Sequence, residues 1–164
     1  KLNTTLRYAC SNSLGHMNAE FLCKSISVLD PPEPVVISDT ALLHEALTSL
    51  KENNIGCVLV EKNGHGALVG IFSERDYMTK IYDSDVNPRE SRITEWMTPD
   101  PYTVELDTTI AYSLNLMSHG GFRHLPVVEP VDKEPVAILS VRNIMDYLVE
   151  RFTEDVMGLE VEEL

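Results

Sequence analysis

The sequence GIFSERD at residues 70–76 returns in related form as AILSVRN at residues 137–143. In both copies a short apolar run leads to a serine, and Asp76 or Asn143 follows that serine three positions later. This order is typical of a strand that passes directly into a helix, because a serine hydroxyl caps the first turn and a polar side chain three residues on completes a capping box. The two copies are 67 positions apart, which indicates an internal repeat.

The repeat covers most of the chain. Residues 26–81 align with residues 93–148 without a gap, and ten of the 56 aligned pairs are identical. The intervening residues 82–92 are polar and rich in turn formers, so we interpret them as a linker between two equivalent units. Residues 1–25 have apolar positions at helical spacing and predict a helical extension. Residues 149–164 carry several carboxylates and predict an acidic tail.

Each unit predicts the order strand, helix, strand, strand, helix. In the first unit these are Val35–Ile37, a helix capped by Thr40 and ending near Asn54, Cys57–Val60, Leu68–Phe72 and a helix from Glu74. In the second unit they are Tyr102–Val104, a helix from Asp107 to Gly121, His124–Val128, Val136–Leu139 and a helix from Val141. A unit of 56 residues is too small to bury its apolar surface well alone. We therefore predict an α/β fold in which two β-α-β-β-α units pack around a pseudo-two-fold axis, with a ligand groove between them.

Composition and charge narrow the function. The chain has 164 residues, 43% of them hydrophobic, which suits a globular protein with a core. A net charge of −13 disfavours nucleic acid and anionic lipid as partners, so any anionic ligand needs a local basic pocket. We find neither a membrane-spanning stretch nor a signal peptide, and we expect a cytoplasmic location. Three cysteines without metal or disulfide spacing agree with a reducing compartment. Because Lys1 is not an initiator methionine, we expect a processed chain or a piece of a longer one.

Three motifs in this order resemble those of a tandem pair of cystathionine-β-synthase-type (CBS) domains, also called a Bateman module. They are MTPDPYTV at residues 97–104, FRHLPVV at residues 122–128, and the repeated GIFSERD and AILSVRN. The resemblance extends over about residues 21–152. It implies a regulatory module that is not an enzyme and that binds AMP, ADP, ATP or S-adenosylmethionine between its units. It also implies a homodimer that forms a flat disc of four units, and a regulated partner or fused domain.

The junction at Ser73 allows two interpretations that stay open. In one, Ser73 and Asp76 form only a capping box. In the other, the free N–H groups and the positive dipole of the helix start hold a phosphate. The resemblance implies that Ser73 contacts this phosphate and that Asp76 accepts from a ribose diol. Arg75 is either a solvent-exposed cation or a charge that neutralises the phosphate.

The second junction repeats this pattern with Ser140, Arg142 and Asn143. The neutral amide of Asn143 is a weaker acceptor than a carboxylate, so we expect the two pockets to differ in affinity. Ala137 stands where the first copy has Gly70, and we expect it to narrow the second pocket.

Arg123 and His124 form the clearest asymmetry between the copies, because their counterparts are Gly56 and Cys57. The resemblance implies that basic residues here face the phosphates. The alternatives are a surface cation and a strand histidine bonded to a backbone carbonyl. The resemblance further implies that the extended segment that opens the second unit lines the adenine edge, through Thr98, Pro101, Tyr102 and Thr103.

Two other functions remain open at the sequence level. The module could be an oligomerisation scaffold with degenerate pockets, or part of an enzyme whose active site lies in another segment. We find no metal spacing and no nucleophile with a base, and we expect Mg²⁺ only together with a polyphosphate ligand.

Overall fold

The computed structural model describes residues 19–64 and 66–157. The helices are α1 (Ala19–Leu22), α2 (Leu43–Asn53), α3 (Glu74–Asp76), α4 (Ile110–Gly120) and α5 (Val141–Met157). The strands are β1 (Val36–Ser38), β2 (Cys57–Glu61), β3 (Leu68–Ser73), β4 (Thr98–Pro99), β5 (His124–Val128) and β6 (Pro135–Ser140). Short 3₁₀ turns occupy Ile26–Leu29, Lys62–Gly64 and Ile93–Glu95, and a π-helical turn over Tyr77–Ile81 continues α3. Most of the predicted N-terminal extension and the end of the predicted tail lie outside the described residues, whereas α5 runs through the first part of that tail.

The two units have the same strand register. β1 pairs in parallel with β2, and β2 pairs antiparallel with β3. In the second unit β5 pairs antiparallel with β6, and Val104 forms a single parallel bridge to β5. Cys57 faces Ser73 in one unit and His124 faces Ser140 in the other, and both ladders shift register at equivalent positions. The gapless repeat seen in the sequence is therefore present in the backbone pairing.

The units exchange segments with one another. β4 precedes the second unit's helix but pairs with β3 of the first unit. In return, Ile138 on β6 donates its N–H to the carbonyl of Pro32 at 3.0 Å. The two cores show the same exchange, because Ile26 packs in the second unit's core and Ile93 in the first unit's core. This reciprocal arrangement has the predicted α/β form, two β-α-β-β-α units around a pseudo-two-fold axis.

Helices α2 and α4 bury the apolar faces that their spacing predicts. Leu43 and Leu50 are buried on α2, and Ile110 and Met117 are buried on α4. Both helices end as predicted, at Asn54 with φ of 52° and at Gly121 with φ of 66°. Left-handed backbone at these positions allows the chain to turn from each helix into the following strand.

The predicted N-caps Thr40 and Asp107 are wrong by two residues. The actual N-caps are Leu42 and Thr109, which are equivalent positions in the repeat. Thr40 instead lies in a turn in which its N–H donates to Ser38 Oγ at 3.2 Å. The Thr109 hydroxyl accepts from the Tyr112 N–H at 3.3 Å, so a capping side chain is present in α4 but lies later than predicted.

The predicted strand over Tyr102–Val104 shrinks to the single bridge at Val104, and a proline explains this. In the first unit, the Leu59 N–H donates to the Val35 carbonyl at 2.9 Å and extends the parallel pairing. The residue equivalent to Leu59 is Pro126, which has no N–H to donate to Tyr102. The segment therefore pairs only at Val104, whose N–H donates to the Pro126 carbonyl and whose carbonyl accepts from the Val128 N–H.

Candidate functional site

A cavity of about 410 Å³ opens in the groove between the two units. This volume lies within the range of roughly 300–1,000 Å³ that small-molecule sites occupy. Both units contribute to the walls. The lining residues are Gly56, Ile71, Ser73, Glu74, Arg75, Asp76, Thr79, Thr98, Asp100, Pro101, Tyr102, Gly120, Gly121, Phe122, Arg123, His124 and Pro126.

Ser73 and Asp76 form a complete capping box on the floor of this cavity. The Ser73 N–H and hydroxyl both donate to Asp76 Oδ2, at 2.9 Å and 2.7 Å. In return the Asp76 N–H donates to Ser73 Oγ at 3.3 Å. The box forms because β3 ends with extended backbone at Ser73 and α3 begins at the next residue. The first of the two interpretations of this junction is thus present, and both side chains still face the cavity.

The other oxygen of Asp76 has two partners that sequence analysis missed. Lys80 Nζ lies 2.7 Å from Asp76 Oδ1, one helical turn along the chain. The Thr98 hydroxyl donates to the same oxygen at 3.3 Å from the segment that opens the second unit. The Asp76 side chain is only 13% exposed, so these contacts compensate the cost of holding a carboxylate away from water. The four donors on Asp76 match its approximate number of acceptor sites.

Arg75 crosses the groove. Its Nη1 donates to the carbonyl of Gly121 at 2.6 Å, a bond between residues of different units. Gly121 follows the last residue of α4, where carbonyl groups lack partners within the helix and carry partial negative charge. Arg75 therefore lines the cavity and joins the two units, while its side chain stays exposed to solvent.

His124 lies against the backbone of the opposite unit. A Cβ atom added to Gly56 would stand 2.8 Å from His124 Cε1, so only glycine leaves room for the imidazole ring here. Burial and the neighbouring Arg123 guanidinium lower the pKa of His124 below its ordinary value of 6.5, while the Glu74 carboxylate acts in the opposite direction. The ring is consequently neutral at pH 7, and Arg123 is the fully charged member of this basic pair.

Two aromatic rings form an apolar wall. Tyr102 and Phe122 stack with ring centroids 5.9 Å apart and an interplanar angle of 23°. Tyr102 is 65% exposed, so one face of this pair is open to solvent. Phe122 lies directly over Gly120, whose missing side chain makes space for the ring. Such a wall suits a planar heterocycle, which stacks on aromatic faces.

The structure brings some predicted site residues together and separates others. Ser73, Arg75, Asp76, Arg123 and His124 line the cavity, as do Thr98, Pro101 and Tyr102. Of the remaining predicted residues, all within the described chain, none lines it; these are Thr103, Ser140, Arg142 and Asn143.

The second junction repeats the capping box with an amide. The Ser140 N–H and hydroxyl donate to Asn143 Oδ1 at 2.9 Å and 2.7 Å. Arg142 is exposed and pairs with Asp146 at 3.5 Å along α5. Gly70, whose counterpart is Ala137, packs against Met97 and does not line the described cavity.

The lining residues without a role predicted from the sequence include two acids and an aromatic residue, Glu74, Asp100 and Phe122. The repeat alignment contained a signal for Glu74, because its counterpart is the apolar Val141. Phe122 is the first residue of the FRHLPVV motif, in which the sequence assigned roles only to Arg123 and His124. Asp100 lies beside the prolines of the segment that opens the second unit, and its left-handed φ of 44° could not be anticipated from its neighbours.

Metal and thiol chemistry find no support in the described parts of the chain. Within residues 19–64 and 66–157, no three His, Cys, Asp or Glu side chains are grouped to hold a metal ion. Burial, with a smaller contribution from Glu74, raises the pKa of the Cys57 thiol to about 12. None of the described helices combines the length and apolar character that crossing a membrane requires.

Comparison with known proteins gives consistent results. A family model described as CBS domain matches residues 27–83 and again residues 93–150. The mitochondrial CBS domain-containing protein CBSX3 of Arabidopsis thaliana is 28% identical over 120 residues, which are 71% of this chain and 57% of that protein. An uncharacterized protein of Methanopyrus kandleri is 30% identical over 144 residues, covering 85% of this chain and 72% of the relative. The chain thus spans little more than half of the Arabidopsis protein.

Solved structures have the same fold. A CBS domain protein from Pyrobaculum aerophilum complexed with AMP has a TM-score of 0.66 and 24% identity, covering 73% of this chain and 88% of that one. A CBS domain pair in complex with 5′-methylthioadenosine and S-adenosyl-L-methionine has a TM-score of 0.65 and 22% identity. The match covers 76% of this chain and 98% of that one.

Proposed function

The chain belongs to the CBS domain family, and we propose that it is a regulatory module that binds an adenosine-containing ligand in the groove between its units. The candidate ligands are AMP, ADP, ATP and S-adenosylmethionine, with Mg²⁺ only alongside a polyphosphate. One observation carries the proposal. Ser73 and Asp76 from one unit and Arg123 and His124 from the other line the same open cavity.

The contacts of Asp76 favour a ribose at this position. Its oxygens already have four donors, so a ribose hydroxyl must replace one of them. The bond from Thr98 is the longest, at 3.3 Å, and is exposed, which makes it the donor that a ribose diol displaces at least cost. Thr98 can then rotate its hydroxyl toward the ligand or water.

The phosphate and the base have complementary surroundings on either side of the ribose. The start of α3, Arg75 and Arg123 supply the positive charge that a phosphate needs in a chain of net charge −13. His124 can add a proton when a phosphate approaches, because a neighbouring anion favours the charged imidazole. Tyr102 and Pro101 form the apolar side, where we place the adenine ring.

We propose a weaker second site at the junction of Ser140, Arg142 and Asn143. Thr103 stays a proposed contact of the adenine edge, together with Thr98, Pro101 and Tyr102. Asn143 offers a neutral acceptor, and Gly56 and Cys57 replace the basic pair there. Since charge-assisted hydrogen bonds are roughly twice as strong as neutral ones, the first site should fill first. The adenosine ligands of the two solved relatives support this ligand class and leave the choice among its members open.

We further propose that the module forms a homodimer, as a disc of four units, and transmits a ligand-induced change to a partner or fused domain in the cytoplasm. Met78 and Met145 stand at equivalent positions of the two final helices and are 58% and 52% exposed. A matching apolar residue on both units suits a two-fold interface. The ligand acts only through its difference in affinity for two arrangements of the units, and it undergoes no reaction.

Thermal denaturation with each candidate ligand tests this function. At a hundredfold excess over its dissociation constant, a bound ligand stabilises the fold by about 2.7 kcal/mol, which is a rise of roughly 5–10 °C for a domain of this size. Calorimetric titration then counts the sites. No thermal shift with AMP, ADP, ATP or S-adenosylmethionine would reject the sensor and favour an oligomerisation scaffold.

A further inference from the structure

We infer that Glu74 selects among the ligands of this groove, accepting adenosine ligands whose 5′ group carries no more than one phosphate and discriminating against ADP and ATP. The inference rests on the proposed function, since it assumes that the groove binds an adenosine ligand. It assigns a role to a lining residue that the capping box and the basic pair leave unused.

The position of Glu74 is well defined by the fold. It is the first residue of α3, and its N–H donates to the Gly56 carbonyl at 3.1 Å. Its carboxylate oxygen Oε2 and the Nε2 of His124 lie 3.7 Å and 3.1 Å from one point, the place where a Cβ atom of Gly56 would stand. The Glu74 carboxylate and the His124 imidazole therefore lie beside the same point on the Gly56 backbone. The negative charge of Glu74 opposes the lowering of the His124 pKa by burial and adds to the raising of the Cys57 pKa, for which burial is the larger cause.

The charges that line the cavity suit a ligand of low negative charge. The acids are Glu74, Asp76 and Asp100, and the cations are Arg75 and Arg123. Lys80 pairs with Asp76 and leaves Glu74 and Asp100 as carboxylates without an ion pair among the described residues. Two guanidinium groups can balance a single phosphate, whereas a second and third phosphate meet no further lining cation.

The path of the ligand brings these extra charges toward Glu74. With the ribose at Asp76, the 5′ group extends toward Arg123 and His124. The Glu74 carboxylate lies beside the His124 ring, so added phosphates approach it. At the effective dielectric constant of a partly exposed site, each like charge a few ångströms away weakens binding roughly tenfold. S-adenosylmethionine carries a sulfonium, an ammonium and a carboxylate group, so its net charge is positive and Glu74 should not disfavour it.

The fold itself does not require an acid at this position. The equivalent first residue of α5 is Val141, and that helix begins in the same way. An acidic residue at a helix start does stabilise the helix dipole, so Glu74 could act on stability alone. The ratio of ATP affinity to AMP affinity separates the two roles, because a purely structural residue changes both affinities equally.

Calorimetric titration of the complete chain with AMP, ADP and ATP, in EDTA to remove divalent cations, is the test. The native chain should bind ATP at least roughly tenfold more weakly than AMP, and Glu74→Gln should reduce this difference to about threefold or less. Glu129→Gln is the matched control: it removes a carboxylate beyond the end of β5 that lies away from His124. Its ratio should equal that of the native chain.

Each outcome has a distinct meaning. If AMP binds and ATP binds equally well, or if Glu74→Gln leaves the ratio unchanged, the selection by Glu74 is refuted while the sensor stands. If Glu129→Gln changes the ratio as much as Glu74→Gln, overall charge and not the groove explains the discrimination, which also refutes the inference. If no adenosine ligand binds to any variant, the proposed function fails and Glu74 has nothing to select.

Discussion

Asp76 allows its structural and ligand-binding roles to be separated, because the second unit contains a natural control. Asn143 closes the same box with Ser140 through an amide oxygen, at 2.9 Å and 2.7 Å. In Asp76→Asn the amide oxygen should therefore keep the bonds to Ser73, whereas the charge and the oxygen that accepts from Lys80 and Thr98 are lost. In Asp76→Ala both the box and the charge are lost.

The structure sets the expected sizes of these effects. Loss of the helix cap costs about 0.5–2 kcal/mol of unfolding free energy. Loss of the ion pair to the partly exposed Lys80 costs about 0.2–1 kcal/mol. Asp76→Ala should thus destabilise the chain by about 1–3 kcal/mol, and Asp76→Asn by less than about 1 kcal/mol. Ligand affinity should fall roughly ten- to hundredfold in Asp76→Ala, and roughly tenfold in Asp76→Asn, because a ribose diol then meets a neutral acceptor.

Urea unfolding measures the first quantity, and calorimetric titration with AMP measures the second. Two results would refute the reasoning. If Asp76→Asn is as unstable as Asp76→Ala, the amide does not replace the carboxylate in the box and the comparison with Asn143 fails. If Asp76→Asn binds AMP as the native chain does, the charge of Asp76 does not contact the ribose and the residue is only a helix cap.

Three further predictions follow from exposure and charge. Met145→Glu should convert the dimer to a monomer in sedimentation velocity, whereas Val131→Glu, at a site 94% exposed, should not; a native monomer would contradict the proposed interface. The lowered pKa of His124 means that the unfolded chain takes up a proton first. The contribution of the neutral His124 to stability is therefore complete above its unfolded pKa of about 6.5 and is lost as the pH falls through the lower folded pKa. Between pH 7.5 and 5.5, the urea midpoint of His124→Gln should therefore decrease less than that of the native chain. An equal decrease in the two proteins would contradict this prediction. Iodoacetamide at pH 8 should modify exposed Cys23 long before buried Cys57, as peptide mass spectrometry can measure, and equal rates would exclude the raised thiol pKa.

Sequence analysis predicted the repeat register well, because the register depends on strand periodicity and loop length, and both are constant across the 67-residue offset. The sequence analysis was wrong about the strand over Tyr102–Val104, where a single backbone N–H decides whether two strands pair. Pro126 lacks the N–H that Leu59 uses, so the strand expected over Tyr102–Val104 cannot extend. The caps were misplaced for a related reason, since Thr40 and Leu42 are both compatible with a turn and only the tertiary structure decides where the helix starts.

The sequence pointed to some of the residues that line the cavity, but not to the contacts between them. Ser73 and Asp76 were found because a capping box is local in sequence. The Thr98 bond to Asp76 spans 22 positions and the Arg75 bond to Gly121 spans 46, and no local pattern reports such pairs. Both bonds join one unit to the other, so they depend on how the units pack.

The strand registers and serine boxes of the two junctions coincide, so the two junctions share their local backbone pairing. They differ in the cavity, which only the first junction lines, and in side-chain chemistry. Gly56 leaves room for the His124 ring beside the first junction. The counterpart of His124 in the repeat is Cys57, whose neutral thiol supplies no positive charge to the second junction. The charged residues of the proposed first site come from both units. Under the proposed function, a ligand there changes the packing of the units only if it binds two of their arrangements with different affinity, and that difference is the requirement for a sensor.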